Sequence, residues 1–111
     1  MTTDISKEKV QVNLTNVIVK TLELSTAHVS EATTKWIDAS IHDSSVLVVY
    51  DKSEFGWFIK VPNFSIEQTQ ELNLVPKDLL GILKMAYDND CQWVMFDYIA
   101  NEIEGLPVYK N

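Results

Sequence analysis

The apolar residues on either side of "STAH", residues 25 to 28, obey two different periods. Before it, Val10, Val12 and Leu14 alternate on one phase and Val17 and Val19 on the other, which reads as two short strands or one bulged strand, the main one over 17 to 24. After it, Val29, Ala32, Trp36 and Ala39 step by three, four and three, which lays them along one face of a helix. The chain must therefore pass from strand to helix within a few residues. Ser25, Thr26 and His28 stand at that joint, and Ser30 or Thr26 is placed to cap the helix.

The remaining segments give the rest of the order. "VLVVY" (46 to 50) and "GWFIKV" (56 to 61) are apolar runs separated by the charged "DKSEF", the pattern of a hairpin with a five-residue connection. Residues 63 to 75 carry little periodicity and read as a loop, although Ser65 with Gln68 also fits the capping box of a short helical turn. Pro76 suits the first turn of a second helix whose buried stripe is Leu79, Ile82, Leu83 and Ala86. Asn89 and Asp90 end it, and "CQWVMF" follows as a buried strand. In the tail "EIEGLPVYKN", Leu106, Val108 and Tyr109 are placed to return to the core.

Strand, helix, strand, strand, helix, strand (βαββαβ) is the split βαβ plan: an α+β fold whose antiparallel sheet carries two helices on one face, here with an extra N-terminal strand and a C-terminal tail. The rival is a mixed sheet with a parallel pair and helices on both faces, because a run such as "VLVVY" suits a strand covered twice. Residues 1–9 lack periodicity and are expected to be a flexible start, with 10–111 forming a single domain.

Composition narrows the function classes. No apolar run approaches the ~20 residues of a bilayer span and the first residues are polar, so a cytoplasmic protein without membrane contact is expected. The lone Cys91 excludes an internal disulfide and reads as a small residue at the core edge. Sixteen acidic residues face nine basic ones, all Lys, for a formal charge of −7. Without Arg, the bidentate donor for phosphate and guanine, direct nucleic-acid binding is disfavoured, and a basic protein surface is the more natural target.

The joint offers the one catalytic reading. His28 beside Ser25 has the residue types of a general base and an activated hydroxyl, but that pair needs an orienting acid. In the antiparallel plan Asp51, Glu54, Asp88 and Asp90 are the acids available, whereas in the parallel-pair rival Asp97 comes alongside. Helix initiation explains the same residues without chemistry. "DND" at 88 to 90 lacks the longer acidic loop of a calcium site and reads as helix termination, and His42 reads as a residue at the first helix's end; no metal or cofactor is expected. The aromatic set Phe55, Trp57, Phe58 and Phe64 is the stronger surface signal. Trp57, Ile59 and Val61 alternate with Phe58 and Lys60, so Phe58 is expected on the uncovered sheet face, where a partner or a second copy would cover it.

Together "STAHVSEAT", "FGWFIKVP", "VPKDLLGILKMAYDNDCQWVMFD" and "GLPVY" resemble a family of small domains of unknown function carried on bacterial plasmids, prophages and phages, over roughly residues 18 to 109. Where that pattern follows the strand-end Asp with another Asp and a Gly, this chain continues from Asp97 into "YIANEIEG". The resemblance implies a mobile-element accessory protein and supplies no reaction. The expectation is a small acidic, non-enzymatic protein-binding module, a candidate inhibitor of a host defence or nucleic-acid-handling protein, with Ser25, Thr26, His28, Glu54, Phe55, Trp57, Phe58 and Asp97 as binding residues and a homodimer as a further possibility. The alternative is a small-molecule-binding or hydrolytic domain that uses Ser25, Thr26 and His28.

Overall fold

The computed structural model describes residues 12–43, 46–65 and 69–109. The flexible start expected for 1–9, Val10 of the extra strand and Gln68 of the capping box lie outside them. The elements run β1 (Thr21–Leu24), α1 (Glu31–Ser40), β2 (Val49–Asp51), β3 (Gly56–Lys60), α2 (Thr69–Leu72), α3 (Lys77–Asp88) and β4 (Trp93–Asp97). Strand order across the sheet is β1-β4-β3-β2.

Register separates the two faces of this sheet. Leu22 and Leu24 of β1 pair with Val94 and Phe96 of β4, which pair in turn with Ile59 and Trp57 of β3. Paired residues point to the same side, so these side chains line one face, with Val49 from β2. The helices cover that face alone: Ile37 of α1 and Leu79, Leu83 and Ala86 of α3 are fully enclosed with Val94, Phe96 and Ile59. Burying a side chain of this size stabilises the fold by about 1.5–3 kcal/mol, so this layer supplies most of the driving force. The opposite face carries Glu23, Met95, Phe58 and Tyr50 in one row, Thr21, Trp93 and Lys60 in the next and Asp97 at the far end, and none of the described helices lies over it.

The α+β class and the split βαβ arrangement with both helices on one face are as the sequence predicts. The sheet itself is mixed, because β1 runs parallel to β4 while β2 and β3 are antiparallel to their neighbours. The cause lies in the segment read as a loop. Between β3 and α3, the segments 61–65 and 69–76, the latter with the helical turn α2, lie along the return course of the chain, so α3 starts at the same end as α1. Asp78 fixes that relation: its carboxylate accepts the Ser30 N–H at 2.9 Å, the Thr33 hydroxyl at 2.6 Å and the Leu79 N–H at 3.0 Å. One negative charge thus serves two helix N-termini, where free N–H groups and the helix dipoles favour it. With α3 running the same way as α1, β4 leaves it parallel to β1.

No strand forms over 12–14, within the extra one expected, and the main strand expected over 17 to 24 begins only at Thr21. Instead the Leu14 carbonyl accepts the Val17 and Ile18 N–H groups at 2.9 and 3.0 Å, closing a turn, and the open outer edges of β1 and β2 are left unused by these residues. The helix ends follow sequence chemistry closely. Ser30 caps α1 by accepting the Thr33 N–H at 3.2 Å, Pro76 precedes α3, and Asp90 at φ 62° ends it. Among the described residues no helix is long and apolar enough to cross a membrane.

Candidate functional site

The parallel β1–β4 pair brings three loops to one end of the sheet: the Ser25–His28 joint, the β2–β3 turn and the start of the tail. The joint is a short 3₁₀ turn over Thr26–His28, capped by Ser25, whose hydroxyl accepts the Ala27 N–H at 3.1 Å. His28 is 1% exposed. Its Nε2 accepts the Ile103 N–H at 2.9 Å, which requires the other nitrogen to carry the proton, and Nδ1–H donates to the Pro107 carbonyl at 2.8 Å. The Tyr109 N–H donates to the Ala27 carbonyl at 2.8 Å beside it. The joint therefore clasps the tail. Both imidazole nitrogens are engaged by backbone groups, so no free base stands next to Ser25.

Asp97, at the end of β4, comes to this same end of the sheet, as the parallel pair requires. Its partner is Lys52 in the hairpin turn, whose ammonium donates to Oδ2 at 2.7 Å, while Oδ1 accepts the Ile99 N–H at 3.0 Å. The Lys52 ammonium first, and then the Ile99 N–H, hold the Asp97 carboxyl below its ordinary value. The Tyr98 N–H donates to the Phe55 carbonyl at 3.0 Å, which ties the tail to the turn. Gly56, at φ 153°, lies against the Phe96 carbonyl, and any Cβ there would collide with that oxygen.

A cleft of about 420 Å³ opens between this turn and the outer side of α1. Thr26, Glu54, Phe55 and Trp57 line it, joined by Asp38 and Tyr98. Trp57 Nε1 donates to Asp38 Oδ1 at 2.7 Å, linking the floor to the helix wall. The Phe55 and Tyr98 rings stack with planes 3° apart and centroids 5.9 Å apart, and both are solvent-exposed at 37% and 57%. Thr34 and Ser53 add hydroxyls to the rim, and the lining includes no basic side chain. Rings, carboxylates and hydroxyls around one concavity suit a cationic, hydrogen-bond-donating ligand.

Half of the residues singled out in the sequence thus meet at the cleft. Thr26, Glu54, Phe55 and Trp57 line it; Ser25 and His28 lie behind it, buried in the joint; Asp97 braces the turn through Lys52; and Phe58 stands on the opposite face of the sheet. Asp38, Thr34 and Tyr98 escaped sequence reading. Thr34 and Asp38 sit four apart on α1, a spacing that places them on one helix face and was the available signal. Tyr98 follows the last strand and gave none. Among the described residues no group of His, Cys, Asp and Glu side chains is arranged to hold a metal ion.

A family model, the C-terminal domain of the family of unknown function DUF5983, matches residues 21–111. The chain belongs to this family. The DUF5983 domain begins at the first residue of β1, so it takes in the whole sheet, both helices and the clasped tail, and leaves the turn at 14–18 outside. No curated protein and no solved structure matches the chain.

Proposed function

We propose that this domain is a non-enzymatic protein-binding module that grips a basic segment of a partner protein in the cleft between the hairpin turn and α1. The observation that carries the reading is the lining itself, in which Glu54 and Asp38 stand beside the exposed Phe55–Tyr98 stack; Lys52, held by Asp97, already places its ammonium 5.5 Å from the Phe55 ring centroid and leaves the Tyr98 ring and both carboxylates to an incoming cation. A lysine or arginine side chain entering there gains charge pairing and ring contact together, and its aliphatic stem covers the rings. Loops held by a rigid sheet suit such a task, because the site is formed before the partner arrives. The formal charge of −7 adds long-range attraction for a basic surface.

The setting we propose is a bacterial plasmid or phage, with the domain acting in the host cytoplasm as an accessory protein. As an inhibitor of a host defence or nucleic-acid-handling protein, it would present its carboxylates where that protein receives phosphates.

The test pairs Glu54→Lys with Tyr98→Ala, both at exposed positions. Nuclease-treated host lysate is passed over wild type and the double variant, and the affinity of the recovered protein is then measured for each at low and high salt. Binding at least ~10-fold weaker in the variant, and weaker for wild type in salt, is the expected result. The stability of the variant should stay within ~0.5 kcal/mol, as for other surface changes. Equal affinity for both proteins would remove the cleft from the interface.

A further inference from the structure

Among the described residues, two apolar surfaces left in solvent stand out. The first is the segment before the family domain, where Val12, Leu14, Val17, Ile18 and Val19 are 44% to 70% exposed. The second is the helix-free face of the sheet, where Tyr50 is 57% exposed, its ring 5.8 Å from that of Trp93, and Phe58 and Met95 are partly exposed beside them. Exposed apolar residues gathered this way mark contact surfaces. No residue of the first group serves the core of the family domain, which begins after them.

The root of the segment is fixed at one corner of the open face. The Lys20 carbonyl accepts the Gln92 and Trp93 N–H groups at 2.9 and 3.4 Å, and the Lys20 ammonium donates to the Asn89 carbonyl at 2.7 Å. Beyond that anchor, the stretch 12–19 would span ~26 Å if extended, more than the ~15 Å across four strands. In the single chain it does not use that reach: the Leu14 turn folds it back and leaves its side chains in water. A second copy presents the same face to the arm, and a two-fold axis makes both contacts at once. The charges permit it. Lys20 is the one ionisable residue over 12–20, and the face carries Glu23 and Lys60, with Asp97 at its far end neutralised by Lys52, so the excess of negative charge that dominates the rest of the molecule is absent there.

We infer that the chain forms a two-fold dimer by arm exchange, in which residues 12–19 of each copy cross the open sheet face of the other over Tyr50, Phe58, Trp93 and Met95. This uses neither Glu54 nor Tyr98, so each copy keeps its cleft.

The experiment is sedimentation equilibrium of the full chain across the micromolar to millimolar range. A mass rising to twice that of the chain is expected. Two variants locate the contact: Val17→Asp with Ile18→Asp in the arm, which lies outside the sheet and spares the fold, and Tyr50→Lys on the face. Each should weaken self-association ~10-fold or more, since each places a charge where an apolar side chain is buried. A third measurement mixes Ile18→Cys chains with Tyr50→Cys chains under mild oxidation and looks for the mixed disulfide. Its formation supports exchange. A monomer at every concentration overturns the proposal, as does a dimer that ignores the arm variant, or an arm-dependent dimer that yields no mixed disulfide.

Discussion

Two polar side chains, the enclosed His28 and the half-buried Asp78, each hold two backbone groups of this domain. His28 satisfies two backbone groups of the tail, and its replacement by Leu would leave the Ile103 N–H and the Pro107 carbonyl without their partner in an enclosed site. An unsatisfied buried group costs ~1–3 kcal/mol, so His28→Leu should destabilise by about 2–4 kcal/mol in urea titration, with faster amide exchange at Ile103 and Tyr109. Asp78 makes a different prediction. Burial pushes its carboxyl upward, but the Thr33 hydroxyl and the Ser30 and Leu79 N–H groups outweigh that and hold it below the ordinary 3.8. A carboxyl depressed in the folded state contributes stability that is present above its ordinary value and lost as pH falls through the native one. Stability of the native chain should therefore drop as pH is lowered below about 4, and Asp78→Ala should show a shallower drop over the same window in pH-dependent thermal unfolding. His28 and Ser25 were both visible in the sequence as unusual; that they serve the fold was not, because the partners of His28 lie 75 and 79 residues away along the chain.

At the scale of elements, the hairpin β2–β3 is held at its turn by three unlike contacts: the Lys52–Asp97 pair, the Tyr98–Phe55 backbone bond and the close approach of Gly56 to the Phe96 carbonyl. Gly56→Ala should be the most damaging, since the new methyl group meets backbone that cannot move without breaking the β3–β4 ladder. A loss of about 3 kcal/mol or more is expected, with the cleft deformed, as read by urea titration and by the amide shifts of the 52–56 turn. Lys52→Met should cost less than that, because the Asp97 carboxylate it leaves keeps the Ile99 N–H as a partner. The hairpin and both long helices were legible from Ser30, Pro76, the apolar period of α3 and the charged "DKSEF"; the face of α1 was not, since Thr33, Ile37 and Ser40 are buried there while Ala32 and Ala39, expected on the inner face, are exposed. The segment 61–76 was not. Its buried anchors, Leu72 and Val75, are spaced by three within a stretch that otherwise lacks pattern, and only tertiary packing makes them a course across the domain.

For the molecule as a whole, that one illegible segment decided the direction of α3 and with it the parallel pairing of β1 and β4. Periodicity tells which face a helix buries but not which way it runs over a sheet, and the same string of elements fits a fully antiparallel sheet or this mixed one. The consequence for the candidate site is direct. Parallel pairing gathers the joint, the hairpin turn and Asp97 at one end, where an antiparallel last strand would have sent Asp97 to the other. The site's aromatic half was visible in "EFGW"; its helix wall at Asp38 was not, since its neighbours are set by the tertiary fold. The clasp on the tail has one more consequence, for how such a domain tolerates mutation. His28 and Ala27 hold the tail by its main chain at Ile103, Pro107 and Tyr109, so side-chain identity there goes unread. At 103 and 109 the one residue excluded by the clasp is proline, which lacks the N–H each contact needs. The exposed side chains at 103 and 107 can therefore be exchanged without loosening the clasp beneath them.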